Sequence, residues 1–426
     1  MTTNPITTKR TSRVRYRVVA FLVAMAAVTY LDRVAIATLA PQIMRDLELS
    51  QIQMSFVFSS FTLAYALFEV PTAWWGERIG TRKVLTRIVG WWSTFTIATG
   101  SAFNHASLLG IRFLFGAGEA GAWPNAARTF SRWIPAQERG TVQGIFFAGA
   151  HLAGGLTPAL VVWMAQYLHW RAVFAVLGSI GFIWAAAWYR WQRDEPTDHP
   201  QVSVEEAEFI VTNRGGGGAP HSGGRLWGRL FTHPGVLALY AAYFANTYGF
   251  YFLITWLPAY LEQRRGFSAG ELSLFAGLPL ILSVAADLTG GVTTDWMARR
   301  FGVRAGRVAV GCGAYAAASV AMFAATSAAS ARTSAVLIAA AAAASMFTLG
   351  ASWATAIEIG GRNSGVVSAA MNTSGQIGGI LSPIVLAFLV DRFADWSLPL
   401  IVMGGLYAVA ALAWLVIDPR KPLLDR

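Results

Sequence analysis

The chain has 426 residues, of which 55% are hydrophobic and only 13% charged, about half the charged share of a soluble domain. That deficit excludes an ordinary soluble protein and points to an all-α membrane protein, with the 17 Trp and 26 Phe suited to interfaces and helix packing. The net charge of +11 sits mainly in short loops between apolar runs, so anionic lipid headgroups rather than nucleic acid are the expected partners, and the lone Cys312 excludes an intrachain disulfide.

The basic N-terminus, 1–17, carries Lys9, Arg10, Arg13, Arg15 and Arg17 before an apolar run. It looks like a signal peptide, but the run is too long, contains Asp32 and Arg33, and is followed by many more spans. Hydropathy predicts about twelve spans, near 18–40, 54–76, 84–103, 108–130, 141–167, 172–191, 236–261, 272–297, 308–329, 335–359, 366–390 and 398–417. With the N-terminus inside, about 25 of the 33 Lys and Arg fall in cytoplasmic segments and about six in outer ones. Both termini, including the 418–426 tail, are then cytoplasmic, and the expected location is a bacterial inner membrane.

A long polar loop, 192–235, separates an N-terminal bundle, 18–191, from a C-terminal bundle, 236–417. Within it, Ser203 and Glu206 form a capping-box pattern that predicts a short helix to about Asn213, and Gly215–Gly218 with Gly223–Gly224 read as linker. The halves echo each other. Ala73 is followed four residues later by Glu77, then Arg78, Gly80, Arg82 and Lys83; Gly291 is followed four later by Asp295, then Arg299 and Arg300. Such a repeat in corresponding loops argues for duplicated bundles.

The chain resembles the major facilitator superfamily, whose loop signature is G-x-L-A-D-R-x-G-R-R. Here Ala73 replaces the first Gly, Gly76 the Ala, Glu77 the Asp and Thr81 the first basic residue of the final pair. The resemblance implies a gating role for Glu77, Arg78, Gly80, Arg82 and Asp295. It extends to the anion:cation symporter branch through Tyr30-Leu31-Asp32-Arg33, Phe68-Glu69-Val70-Pro71, Arg112 with Gly118-Glu119-Ala120-Gly121 and Pro124-Asn125, Phe250-Tyr251-Phe252 with Thr255-Trp256-Leu257-Pro258, and Asn372. In galactonate-type members the matching arginines contact substrate or pair with the acids, and carboxylates matching Asp32 and Glu119 couple protons.

No phosphate-cradling loop occurs and the only lysines are Lys9, Lys83 and Lys421, so an ion gradient is the expected driving force, with no cofactor, metal site or enzymatic activity. Gly116, Gly118 and Gly121 match a dinucleotide pattern but lie inside an apolar helix, where small residues let helices approach. Arg112 and Glu119, seven residues apart, share a helix face. Arg112 and Arg33 are candidates for gripping a carboxylate; otherwise they pair with acids or, for Arg112 near its span end, snorkel. Asp32 and Glu119 are the proton-coupling candidates, with a fixed ion pair as the other reading.

Glu69 reads as a gating acid, Asp287 as a pathway acid or structural pair, and Glu358 as an interface charge. His151 is either a helix contact or a substrate contact. Tyr65, Tyr251, Trp353 and Asn372 are the chosen uncharged substrate candidates from a set that includes Asn246, Tyr248 and Ser368. Pro124, Pro158, Pro258 and Pro383 are expected to kink helices. The expected function is proton-coupled uptake of a small organic anion such as a hexonate, hexuronate or aldarate by a monomer, bound between rocking halves. The alternatives are efflux of amphipathic compounds, with a large apolar cavity, and an anion sensor signalling through the central loop.

Overall fold

The computed structural model describes residues 12–215, 224–257 and 260–424. Lys9, Arg10, the linker glycines 216–218 and 223, and Pro258 lie outside these. The described residues are helical, with no strand. The first group of helices is α1 (Val14–Asp46), α2 (Gln51–Ile79), α3 (Thr81–Thr99), α4 (His105–Glu119), α5 (Ala122–Trp133), α6 (Arg139–Ala165) and α7 (Trp170–Trp191). Two short helices follow, α8 (Val204–Asn213) and α9 (Gly224–Leu230). The second group is α10 (Pro234–Thr255), α11 (Ala269–Phe301), α12 (Val303–Ser327), α13 (Ala331–Met346), α14 (Leu349–Gly360), α15 (Ser364–Phe393) and α16 (Ser397–Val416).

Nine helical stretches among the described residues are long and apolar enough to cross a membrane. Three local causes separate this from the hydropathy reading. The run Ala331–Val390 is one stretch by composition but three helices in space. Helix α3 puts Arg82, Lys83 and Arg87 into 19 residues. The predicted span 108–130 is broken into α4 and α5, where Gly121 adopts φ +85°, a conformation that costs a residue with a Cβ. A Cβ there would also stand 2.7 Å from the Thr72 side chain. Pro124 therefore does not kink a continuous helix: it sits in the first turn of α5, where its missing N–H is harmless. Pro158 and Pro383 do lie within helices, at the same distance from the starts of α6 and α15.

Within each group, α1 packs on α6 and α3 on α7, as α10 packs on α15 and α12 on α16. The groups meet along two seams, α6 against α11 and α2 against α15. The first seam is close because it is lined with glycine: a Cβ on Gly144 would strike the Asp287 carbonyl and lie 3.1 Å from the Gly291 Cα. Gly144→Val is expected to wedge α6 off α11 and cost about 1–3 kcal/mol, seen as a lower unfolding temperature in detergent; an unchanged temperature would refute the close seam.

Helix α8 begins at Ser203, whose hydroxyl accepts from Glu206 N at 3.2 Å. Glu206 does not complete the capping box. Its fully buried carboxylate instead accepts from Ser12 Oγ at 2.6 Å and Val14 N at 2.9 Å, capping α1. The C-terminal tail folds back on the same end: Leu423 N donates to the Ile359 carbonyl at 2.8 Å, and the Arg420 guanidinium on Asp418 holds that carboxyl down at about 2.

Candidate functional site

A cavity of about 100 Å³ lies between the two groups of helices. Its walls bring together Arg33 of α1, Tyr65 of α2, His151 of α6, Tyr251 of α10, Trp353 of α14 and Asn372 of α15. Arg112 is not among the lining residues.

Arg33 enters the cavity with its guanidinium carbon 4.9 Å from the Tyr65 ring centroid and 5.1 Å from that of Phe61. Its Nε donates to one oxygen of the fully buried Glu119, which Nη2 approaches as an ion pair without hydrogen-bond geometry; the other oxygen has no partner. Arg112 stands behind this pair, its guanidinium carbon 4.0 Å from the Phe115 ring centroid and Nη1 unbonded. It is only 3% exposed, which rules out snorkelling. Asp32, 1% exposed, has neither oxygen hydrogen-bonded, and Glu119 and Arg112 are the charges it feels most. Four charged groups thus share one cluster, Asp32, Arg112 and Glu119 buried and Arg33 half-buried against the cavity, in which only Arg33 and Glu119 form a closed pair.

Two further links cross between the groups. His151 Nδ1 lies 2.6 Å from Asp287 Oδ2, joining α6 to α11. Glu69 accepts from Asn372 Nδ2 at 2.5 Å and Thr373 Oγ1 at 3.1 Å, joining α2 to α15. The sequence reading missed Tyr30, Trp123, Tyr243 and Gln376 in the walls. Tyr243 accepts from Trp353 Nε1 at 3.0 Å and so fixes that indole against the cavity. Asn246 also lines it, while its amide donates to the Ser345 carbonyl at 2.9 Å. Tyr248 and Ser368 are not among the lining residues; Tyr248 stacks on Phe244.

At the end of the bundle that carries the termini, the two loop motifs use one device twice. Glu77, at the end of α2, accepts from Val366 N at 3.1 Å and Asn363 Nδ2 at 3.0 Å, at the start of α15. Asp295, near the end of α11, accepts from Gly140 N at 2.9 Å and Thr141 N at 2.6 Å, at the start of α6. Each carboxylate meets unpaired N–H groups at the positive end of a helix in the opposite group. Gly80 and Gly302 both turn at φ +89° into the next helix. Arg78 stacks 3.9 Å over Trp74, and Arg82 donates to the Tyr189 carbonyl at 2.8 Å. Asp295 also pairs with Arg307 at 2.9 Å, whose second nitrogen pairs with Glu358 at 2.9 Å. Glu358 is therefore a partner in a buried network rather than simply the interface charge expected of it.

Residues 22–383 match the family described as the Major Facilitator Superfamily. The probable sulfoacetate transporter SauU of Cupriavidus necator is 32% identical, the match covering 96% of this chain and 95% of that protein. The hexuronate transporter of Bacillus subtilis is 31% identical over 97% of each chain. The solved structure of the proton:xylose symporter XylE superposes with a TM-score of 0.72, covering 93% of this chain and 94% of that one; at 15% identity it speaks to the fold alone. Seam, repeat and matches agree: the chain belongs to the major facilitator superfamily, as a multi-pass membrane transporter and not an enzyme.

Proposed function

We propose that the protein is a secondary active importer that moves a small organic anion, sugar acids included, together with protons by alternating access. The Arg33–Glu119 pair on the wall of the cavity carries this reading. An incoming carboxylate competes with Glu119 for the guanidinium, whose fork suits two parallel hydrogen bonds. Glu119, displaced in a dry site, is then better off protonated. Solute binding and proton uptake are coupled because both depend on the same arginine. Asp32 and Arg112, buried beside the pair, tune it electrostatically and give the proton a second seat.

The names of the two relatives support the solute class, one being a solute with two acidic groups and the other a solute with one. The cavity speaks against efflux of amphipathic compounds: about 100 Å³ around an arginine is far from the roughly 300–1,000 Å³ of mostly apolar drug-sized sites. We read about twelve spans with both termini on the cytoplasmic side of a bacterial inner membrane, on the charge bias of the loops. The Glu77 and Asp295 contacts would then close the cytoplasmic end, with Arg78, Gly80 and Arg82 shaping the first of these loops. In this reading the transporting unit is a monomer.

The test is uptake of radiolabelled sulfoacetate and hexuronate by proteoliposomes under an imposed pH gradient, acid outside. Accumulation of at least one, abolished by a protonophore, is expected. Uptake of neither, or uptake indifferent to the protonophore, would sink the proposal.

A further inference from the structure

Arg33 accounts for one acidic group of a solute. On the same cavity wall, Tyr30 has a second nitrogenous group beside it. The Arg33 guanidinium carbon is 6.0 Å from the Tyr30 ring centroid, and the His151 ring centroid is 5.9 Å from it. The two distances together bound the Arg33–His151 separation to about 12 Å. An acidic group sits about 4 Å from the centre of each cation that holds it, so two acidic groups lying between the cations, on the line that joins them, are at most about 4 Å apart.

The contact with Asp287 sets what His151 offers. Asp287 is fully buried and its Oδ2 lies 2.6 Å from Nδ1. A carboxylate accepts, so Nδ1 carries a proton and Nε2 is left for the cavity that the ring lines. With a lone pair on Nε2 the ring repels an anion. With a proton taken from the acidic side onto Nε2, it becomes an imidazolium donating to Asp287 on one side and to solute on the other. The titratable or charged groups that share its cavity are Tyr30 and Arg33 of α1, Tyr65 of α2, and Tyr243 and Tyr251 of α10, with Asp287 of α11 on Nδ1 and Glu119 behind Arg33. The contributions from α14 and α15, Trp353 and Asn372, are uncharged.

We propose that His151, positioned by Asp287, is a second anion-binding group of the cavity, and that the preferred solute is a short dianion whose two acidic groups bridge Arg33 and His151. This rests on the importer reading and narrows its solute from organic anions in general to diacids on a backbone of roughly two to four carbons. A second acidic group brings its own proton with it, so a dianion enters with one proton more than a monoanion does.

The experiment is calorimetric titration of the purified transporter at pH 7 with malonate and succinate, against propionate and butyrate, with adipate as the length control. In the unmodified protein the dianions are expected to bind roughly ten- to hundredfold tighter than monoanions of equal length. Succinate should bind tighter than adipate, and titration in two buffers should show one extra proton taken up with the dianion. His151→Gln and Asp287→Asn should each bring the dianion-to-monoanion ratio close to one. Equal affinity for both classes in the unmodified protein, or a ratio unchanged in both variants, overturns the inference and leaves the importer reading standing. Binding of none of these anions, together with no proton-driven uptake of sulfoacetate or hexuronate, overturns both. If either variant fails to fold, the affinity ratio and proton uptake of the unmodified protein decide.

Discussion

Glu119→Gln is expected to abolish proton-driven accumulation while solute exchange across the membrane continues. One proton moving down a gradient of one pH unit supplies about 1.4 kcal/mol, roughly tenfold accumulation. In the variant the internal-to-external ratio should fall to one. Among the described residues the side chain is the only carboxylate bonded to Arg33, and a neutral amide can still accept from that guanidinium but cannot exchange a proton. Arg33 is then left with an uncompensated charge in a buried site, so the anion should bind more tightly and leave more slowly. The measurement is paired: pH-driven uptake and counterflow in the same proteoliposomes. Full gradient-driven accumulation by the variant would remove Glu119 from the coupling and leave Asp32 as the remaining carboxylate of the cluster. Arg33→Lys is a useful contrast, because it keeps the charge but loses the fork that permits competition between Glu119 and solute.

Much of the architecture is legible in the sequence because hydrocarbon imposes it. Charges are excluded from long windows, so Asp32, Arg33, Arg112 and Glu119 stand out against the apolar background. What hydropathy does not reveal is local backbone geometry and distant pairing. The break at Gly121 is silent because glycine is also common in unbroken membrane helices; its φ of +85° is a property of the fold. Arg112 reads as near a span end because the break behind it is invisible, and only the packing on Phe115 and Phe61 shows it to be buried. The bonds from Glu69 to Asn372 and from His151 to Asp287 join residues 303 and 136 positions apart, and no periodicity links them. One signal was present. Glu69 precedes Glu77 by eight residues, and Asp287 precedes Asp295 by eight. The repeat therefore extends two helical turns deeper than the loop motif, and in both halves the deeper acid reaches across a seam.

That repeat is not symmetric in strength, and the asymmetry gives the second large effect. Glu77 is held by an amide side chain and a backbone N–H, with the Arg128 guanidinium near but bonded elsewhere, to the Arg362 carbonyl. Asp295 is held by two backbone N–H groups and by the Arg307 guanidinium, with Asp295 fully buried and Arg307 1% exposed. Removing one partner of a buried pair leaves the other charge uncompensated, at a cost of about 3–5 kcal/mol; losing neutral-donor hydrogen bonds to a carboxylate costs about 1.5–3 kcal/mol. Arg307 keeps Glu358, which places Asp295→Ala at the lower end of its range, near 3 kcal/mol. If that free energy belongs to the closed arrangement of the terminus-bearing end, Asp295→Ala should shift the closed-to-open ratio by roughly a hundredfold, and Glu77→Gln, which keeps one accepting oxygen and so falls at the low end of its range, by roughly tenfold. Ser364 is a suitable reporter: it is fully buried and its hydroxyl lies 3.1 Å from that of Ser131 across the seam. The labelling rate of Ser364→Cys by a water-soluble maleimide should rise steeply in the Asp295→Ala background and modestly in the Glu77→Gln background. Equal rates in the two backgrounds would mean that Arg307 serves only to knit α11 to α12 and α14, and that the two carboxylate caps alone hold the end closed.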